Sequence, residues 1–359
     1  MNKTLKYIII IVIIYFLLKK NKKEGFINVL TNNFIVKKIA VTNKKIKNLP
    51  YHSNPDGGAI FKYDGGWIYV SNSESGNNQG GVGAIKFNNQ GTIIDYYKIL
   101  SNSNVNCAGG KTPNNIWLSC EEHRNGIVWG CDPFGIEKPK KLLKMGVFSH
   151  EAAAVDPNTN IVYLTEDDTD GLIYRFISDN YNYTEGTLQA ACKGNRNKII
   201  WKDINDPLAT SIPTKYQVDN GLKNNKWEGC IYHPDGYIFI VESRKGIYRY
   251  DIQNENIELF YESNNFDVTK LNSPDNICLT PNNNLLVSED PGHKSYLELW
   301  VININTKDSY PLIKVTDHKG SELTGMAFSP DNSRLYFSSQ RGTNGNGIIY
   351  EIKGDFSEI

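Results

Sequence analysis

Residues 155–167 read VDPNTNIVYLTED: a proline turn, a short alternating apolar run, and two carboxylates at its end. Five other stretches follow the same plan. KTPNNIWLSCEE (111–122), YHPDGYIFIVES (232–243), LTPNNNLLVSED (279–290) and FSPDNSRLYFSS (328–339) keep the proline, while FKYDGGWIYVSNSE (61–74) keeps the turn with Tyr63 in its place. The turn positions are 50, 44, 77, 47 and 49 residues apart. Alternation with period two marks strands, and no long stretch of period 3.6 follows residue 34.

A repeat of 40 to 50 residues built from short strands is the spacing of propeller blades, each a four-stranded sheet that buries its faces against its neighbours. The expected fold is therefore all-β, a six-bladed β-propeller over residues 34–354, preceded by a short N-terminal hydrophobic segment (1–23) and a linker (24–33). The long interval holds two polar, turn-rich stretches, 179–197 and 205–226, read as an inter-blade insertion around 177–226. A degenerate seventh blade there is the competing account. The last blade shows only three runs, and NFIVKKIAVTN (33–43) is expected to supply its fourth strand and close the ring.

Six residues before each turn proline stand Cys107, Glu151, Glu228, Asp275 and Thr324; eight or nine after it stand Glu121 and Glu122, Glu166, Glu242, Glu289 and Asp290, then Ser338 and Ser339. In an antiparallel hairpin the start of one strand lies beside the end of the next. All these groups are thus expected at one rim, around the mouth of the central channel, with Asp56, Glu74 and Glu322 close to the same register. Two carboxylates about 4 Å apart repel by about 4 kcal/mol at an effective dielectric near 20, so such a crowd calls for cations. Carboxylate oxygens suit hard ions, and one thiolate among them suits a transition metal. The expectation requires Cys107 to lie beside Glu151 and Glu228.

Bulk properties narrow the alternatives. Lysine plus arginine and aspartate plus glutamate number 39 each, so no basic field points to nucleic acid. The uncharged apolar run 7–18 is twelve residues long and is followed by Lys19, Lys20, Lys22 and Lys23. It is too short for an ordinary span and reads as a signal anchor, or a signal peptide, giving a membrane-anchored or secreted protein. The six cysteines form no C-x-x-C pair, and the default for each is a buried, inert thiol. Asn182 begins an N-x-T sequon, usable only on the secretory side. His123 and His233 read as structural, and His150 as a possible orienting partner of Glu151. No serine-histidine-aspartate order or G-x-S-x-G elbow is present.

NCAGGKTPNNIWLSCEE, HEAAAVDPNTNIVYLTED, GLIYRF, SPDNICLTPNNNLLVSED and ELTGMAFSPDNSRLYFSSQ together resemble the PhoX-type alkaline phosphatase family of metal-dependent β-propellers, over about residues 55–352. The resemblance implies iron and calcium ions at the channel mouth, where phosphate monoesters are hydrolysed, with a small phosphorylated substrate and a monomeric catalytic domain. It implies Cys107 as an iron ligand, and Glu151, Glu228 and Asp275 as further metal ligands. Glu121, Glu122, Glu166 and Glu289 would be ligands or their supports, and Lys226 and Glu228 catalytic groups. The chain departs from the family's pattern at Asn72-Ser73-Glu74, where members often read Asn-His-Glu. It departs again at Gln340-Arg341-Gly342-Thr343, in place of Gln-His-Pro-Gly, and at Lys226-Trp227-Glu228, in place of Arg-Pro-Glu. The twin-arginine signal common in the family is missing. Two other readings stay open: a calcium-dependent lactonase of the gluconolactonase type, and a non-catalytic propeller whose metals rigidify the ring while it binds a partner.

Overall fold

A computed structural model describes residues 27–29, 34–264, 270–290, 296–318 and 320–359. Six antiparallel sheets of four or five strands surround one axis. Their innermost strands are Pro55–Tyr63, Asn106–Lys111, His150–Val155, Trp227–His233, Pro274–Leu279 and Leu323–Phe328, blades 1 to 6 in chain order. Each inner strand touches the next, and the sixth returns to the first. No seventh sheet of blade size occurs among the described residues.

The ring closes as the sequence suggests. Ile35–Val41 pairs with Ile348–Lys353 and becomes the outer strand of blade 6. The long interval is partly blade: Gly186–Lys193 and Ile199–Asp203 add a fourth and fifth strand to blade 3, so the excursion proper begins after residue 203. The N-terminal run 7–18 lies outside the described residues. No helix among the described residues is long and apolar enough to cross a membrane.

The core is six layers rather than one. Each hydrophobic cluster is shared by two neighbouring blades, as where Leu118 and Val128 of blade 2 meet Val162 and Leu164 of blade 3. This division follows from the repeat, because a single blade has apolar residues on both faces and hides neither alone. Cys120, Cys131, Cys192 and Cys230 are buried, Cys278 nearly so, and all six thiols are unbridged. The sequon residue Asn182 lies exposed on the turn before Gly186–Lys193.

One irregularity recurs in all six blades and decides where the chemistry sits. In blade 3, His150 pairs with Glu166 and Ala153 with Leu164, so residues 151 and 152 together oppose Thr165. The same extra residue follows Pro55, Asn106, Trp227 and Pro274, and in blade 6 it follows Thr324. A bulge leaves a residue outside the ladder and re-aims its side chain. Here the bulges of blades 1 to 5 contain Asp56, Cys107, Glu151, Glu228 and Asp275. In blades 1 to 4 the next position is Gly or Ala because the axis is crowded: a Cβ on Gly57 would lie 2.5 Å from Ala108 Cα, and one on Gly229 2.7 Å from the Asp275 carbonyl.

Candidate metal centre

The channel holds two cavities. One, of about 560 Å³, lies along the later part of the inner strands and is lined by small and apolar residues such as Ala153, Cys230 and Met326. The other, of about 430 Å³, lies at the strand starts and is polar. The sequence motifs converge on the second, smaller cavity.

Its floor is a chain of acids. Cys107, Glu122 and Glu151 bring ligand atoms within 4.8 Å of one another, and so do Glu151, Glu228 and Asp275, then Asp275, Asp290 and Glu322, then Asp56, Glu74 and Glu322. Glu151, Asp275 and Glu322 each belong to two groups, so the four groups form one continuous, bridged array. Among the described residues, eight carboxylates line the cavity against three cationic side chains, Lys226, Arg244 and Arg341. That leaves an excess of five formal negative charges.

In blades 1 to 5 two positions supply the residues around this array, and alternation along the strand explains which of them reach it. The inner-strand bulge supplies one residue. The end of the second strand supplies another, but the side chains there alternate. Glu121, Glu166, Glu242 and Glu289 pair across from Asn106, His150, Trp227 and Pro274, and they turn to backbone amides. Glu121 accepts from Asn104 N at 3.0 Å and Ile127 N at 3.3 Å. Glu166 accepts from Leu172 N at 3.0 Å and Tyr174 Oη at 2.9 Å. Glu242 accepts from Lys245 N at 2.6 Å, and Glu289 from Asn272 N at 2.9 Å. The residues that follow them, Glu122, Asp167, Ser243 and Asp290, face the cavity, as does Glu74 in blade 1.

Of the residues singled out in the sequence, Cys107, Glu122, Glu151, Glu228 and Asp275 are therefore brought together, with Lys226 at the mouth. Glu121, Glu166 and Glu289 are not among the clustered groups and act as clamps on the loops. Asp167, Arg244 and Arg341 are further cavity residues. The legible signal for Asp167 was its place after Glu166, the slot that Glu122, Asp290 and Glu74 occupy in other blades. His150 does not orient the Glu151 carboxylate: its Nε2 meets the Gly146 carbonyl at 3.0 Å, and its ring stacks on Phe148. His233 Nε2 meets the Asn283 carbonyl, and His123 lies 3.7 Å from Glu121.

The supports are specific. Asn72 of blade 1 donates to the Cys107 and Ala108 carbonyls at 3.0 and 2.8 Å, and accepts from Trp117 Nε1 and Ser119 Oγ at 2.8 and 2.9 Å. It pins the bulge that carries the thiol. Just before the inner strands of four blades, Asn54, Val105, Lys226 and Ser273 have φ of 44°, 46°, 62° and 46°. Such a φ strains a β-branched residue most. Val105 is held there by its N–H on the Ser75 carbonyl and its carbonyl on Glu122 N, at 3.0 and 2.8 Å.

Burial and mutual repulsion disfavour the ionised forms of the array. Burial raises Glu151 and Asp275 well above the usual carboxylate range, and the neighbouring acids Glu122 and Glu228 respectively add to it. Burial and then Glu322 push Glu74 up to about 7. Burial also lifts the Cys107 thiol, with Asp56 and Glu151 reinforcing it. Gln340 donates its amide to both Asp56 and Glu74, and Arg341 reaches Glu322 at 3.0 Å. Lys226 reaches Asp167 at 2.9 Å. Even so, Glu151 Oε1 and Asp167 Oδ1 are buried with no hydrogen-bond partner among the described residues. A buried carboxylate oxygen with no donor is costly, and a bound cation removes that cost. The donor set fits such ions: one thiol at one end, oxygens elsewhere.

Comparison with known proteins bears on both fold and site. The family model described as Alkaline phosphatase PhoX matches residues 125–256, a segment that includes Glu151, Asp167, Lys226, Glu228 and Arg244. Among solved structures, the chain is similar to Pseudomonas fluorescens PhoX in complex with vanadate, a transition state analogue. The TM-score is 0.78 at 14% identity, covering 91% of this chain and 96% of that one. It is also similar to a structural genomics protein of unknown function from Bacteroides thetaiotaomicron, with a TM-score of 0.53 at 10% identity, covering 89% and 76%. No curated protein matches the sequence.

Proposed function

We propose that this PhoX-type propeller is a metal-dependent phosphatase that hydrolyses phosphate monoesters at the polar end of its channel. The observation that carries the reading is the bridged array: four three-residue groups, joined through Glu151, Asp275 and Glu322, under a mouth with basic side chains. Cys107, Glu122 and Glu151 would hold iron, because a thiolate selects a transition metal, and the all-oxygen groups would hold calcium. Metal ions there would supply Lewis acidity to phosphoryl oxygens and activate the attacking water.

The chain's own residues do the rest. Lys226 stays protonated, since Asp167 beside it more than offsets the effect of its partial burial, and its ion pair fixes that acid at the mouth. Glu228 stands two residues on, in the middle group of the array. Arg341 holds Glu322 and approaches Glu74 at 3.9 Å, fixing the acids of blades 6 and 1. The vanadate bound by Pseudomonas PhoX makes vanadate the natural probe. Purified protein should contain iron and calcium, hydrolyse an aryl phosphate, and lose both iron and turnover in Cys107→Ser. Protein that holds its metals yet neither hydrolyses the ester nor binds vanadate would refute the reading.

The run 7–18 would anchor the protein. Ile27–Val29 pairs antiparallel with Ser309–Thr316, with Ile27 opposite Val315, near the strand end that leads toward Glu322. The strand Ile27–Val29 therefore begins on the cluster's side. Eight residues separate Leu18 from Ile27, a reach of about 30 Å, so the mouth would face the lipid. In proteoliposomes, a bilayer quencher should reach a label at Asn125, on the mouth side, more than one at Asn332 on the opposite side. Equal quenching sinks this orientation.

A further inference from the structure

We infer that Arg244 is the side chain that grips the phosphate group of the substrate. The inference rests on the phosphatase reading above and deepens it. Of the three cationic residues that line the cavity among the described residues, two already hold acids. Lys226 is committed to Asp167, and Arg341 to Glu322. Those two contacts spend their charge on the wall of the site. Arg244 lines the same cavity, is exposed, and its guanidinium makes no hydrogen bond or ion pair with any described residue.

Its lack of a partner does not come from a loose loop. Arg244 lies on the turn between Tyr237–Glu242 and Gly246–Asp251. Glu242 binds Lys245 N at 2.6 Å, the Lys245 carbonyl accepts from Ser263 N at 2.9 Å, and the Lys245 ammonium reaches Asn224 at 2.5 Å. The turn is braced on three sides while the guanidinium is left open toward the mouth. A guanidinium presents two parallel N–H donors that match two phosphoryl oxygens, which a lysine ammonium cannot do. In this chain the residue two before Glu228 is Lys226, already engaged. The fork comes instead from the other strand end of the same blade, directing the phosphate over Glu151, Glu228 and Asp275. With cations on the acid floor, an uncommitted guanidinium at the rim adds to the affinity for substrate.

The test uses the full-length, metal-loaded protein, with an aryl phosphate as substrate and vanadate as inhibitor. Arg244→Met should raise KM and the vanadate inhibition constant about 10- to 100-fold, the range for losing a charge-assisted pair of hydrogen bonds. Metal content and melting temperature should not move. Arg244→Lys should recover only part of the loss, because charge returns without the fork. Arg196→Met, an exposed arginine elsewhere, should match the wild type. Unchanged KM and inhibition in Arg244→Met, with an active wild type, overturn this inference alone. Full recovery in Arg244→Lys overturns the bidentate grip. A wild type that neither turns over nor binds vanadate overturns the phosphatase reading, and the inference with it.

Discussion

Replacing Asn72 by alanine should damage the thiol end of the array from outside it. Asn72 is fully buried, contributes no ligand atom to the array, and makes four hydrogen bonds: two as donor to the Cys107 and Ala108 carbonyls, two as acceptor from Trp117 and Ser119. Each buried group left without a partner costs about 1–3 kcal/mol. A single water in the vacated space would re-satisfy part of them, so the net cost is about 3–4 kcal/mol. Unfolding entropy for a domain of this size is about 0.7 kcal/mol/K, which turns that cost into a fall of about 5 °C in Tm. The more telling readout is metal content. Freed carbonyls let the Cys107 bulge shift, so the metal held with Glu122 and Glu151 should be lost before those held by the all-oxygen groups. Asn72→Asp keeps the two acceptor bonds but sets a carboxylate against two carbonyls, and should be worse at Cys107 than alanine. Thermal unfolding and elemental analysis of the same samples check this. A Tm within about 1 °C of wild type, with metals intact, would mean that the asparagine does not hold the bulge.

Two further outcomes follow from the same geometry. Glu166→Gln should keep its metals and most of its activity, because burial already lifts Glu166 to about 7 and an amide oxygen can still accept from Leu172 and Tyr174. Asp167→Asn, one residue on, should lower kcat/KM for an aryl phosphate at least about tenfold, since it strips Lys226 of its partner; equal effects of the two would contradict the alternation. Burial holds His52 and His318 neutral, each with its pKa lowered to about 4 against about 6.5 in an unfolded chain. A depressed histidine contributes stability above pH 6.5 that is lost as pH falls toward 4. Denaturant titrations of wild type and His52→Gln should therefore diverge at pH 7 and converge by about 2–3 kcal/mol on going to pH 4. A pH-independent difference would place that imidazole in water.

The ring and its closure were readable because they depend on repetition. Six proline or tyrosine turns fix the blades, and residues 33–43 had no other sheet to complete. What the repeat could not give was the direction of a side chain at a strand end, since a pair such as Glu121-Glu122 or Glu289-Asp290 offers both faces at once. The structure settles it by register: the first residue of each pair stands opposite the residue before the bulge and is drawn to loop amides, so the second is the one released to the cavity. The bulges themselves leave no clear mark in the sequence beyond the Gly or Ala after the ligand position in blades 1 to 4. Blade 6 breaks the pattern with Thr324 in that slot. Its bulge comes one residue later, and its acid, Glu322, arrives from the preceding loop. Where an acid clamp would stand, blade 6 has Ser339, bonded to His318 Nδ1 at 2.6 Å and Ser321 Oγ at 2.9 Å. Ser321 Oγ in turn accepts from Arg341 N at 2.9 Å. A neutral network thus does for Glu322 and Arg341 what a carboxylate does elsewhere. The loop that joins two of the four ligand groups is therefore held without adding another negative charge to a site that already has five in excess.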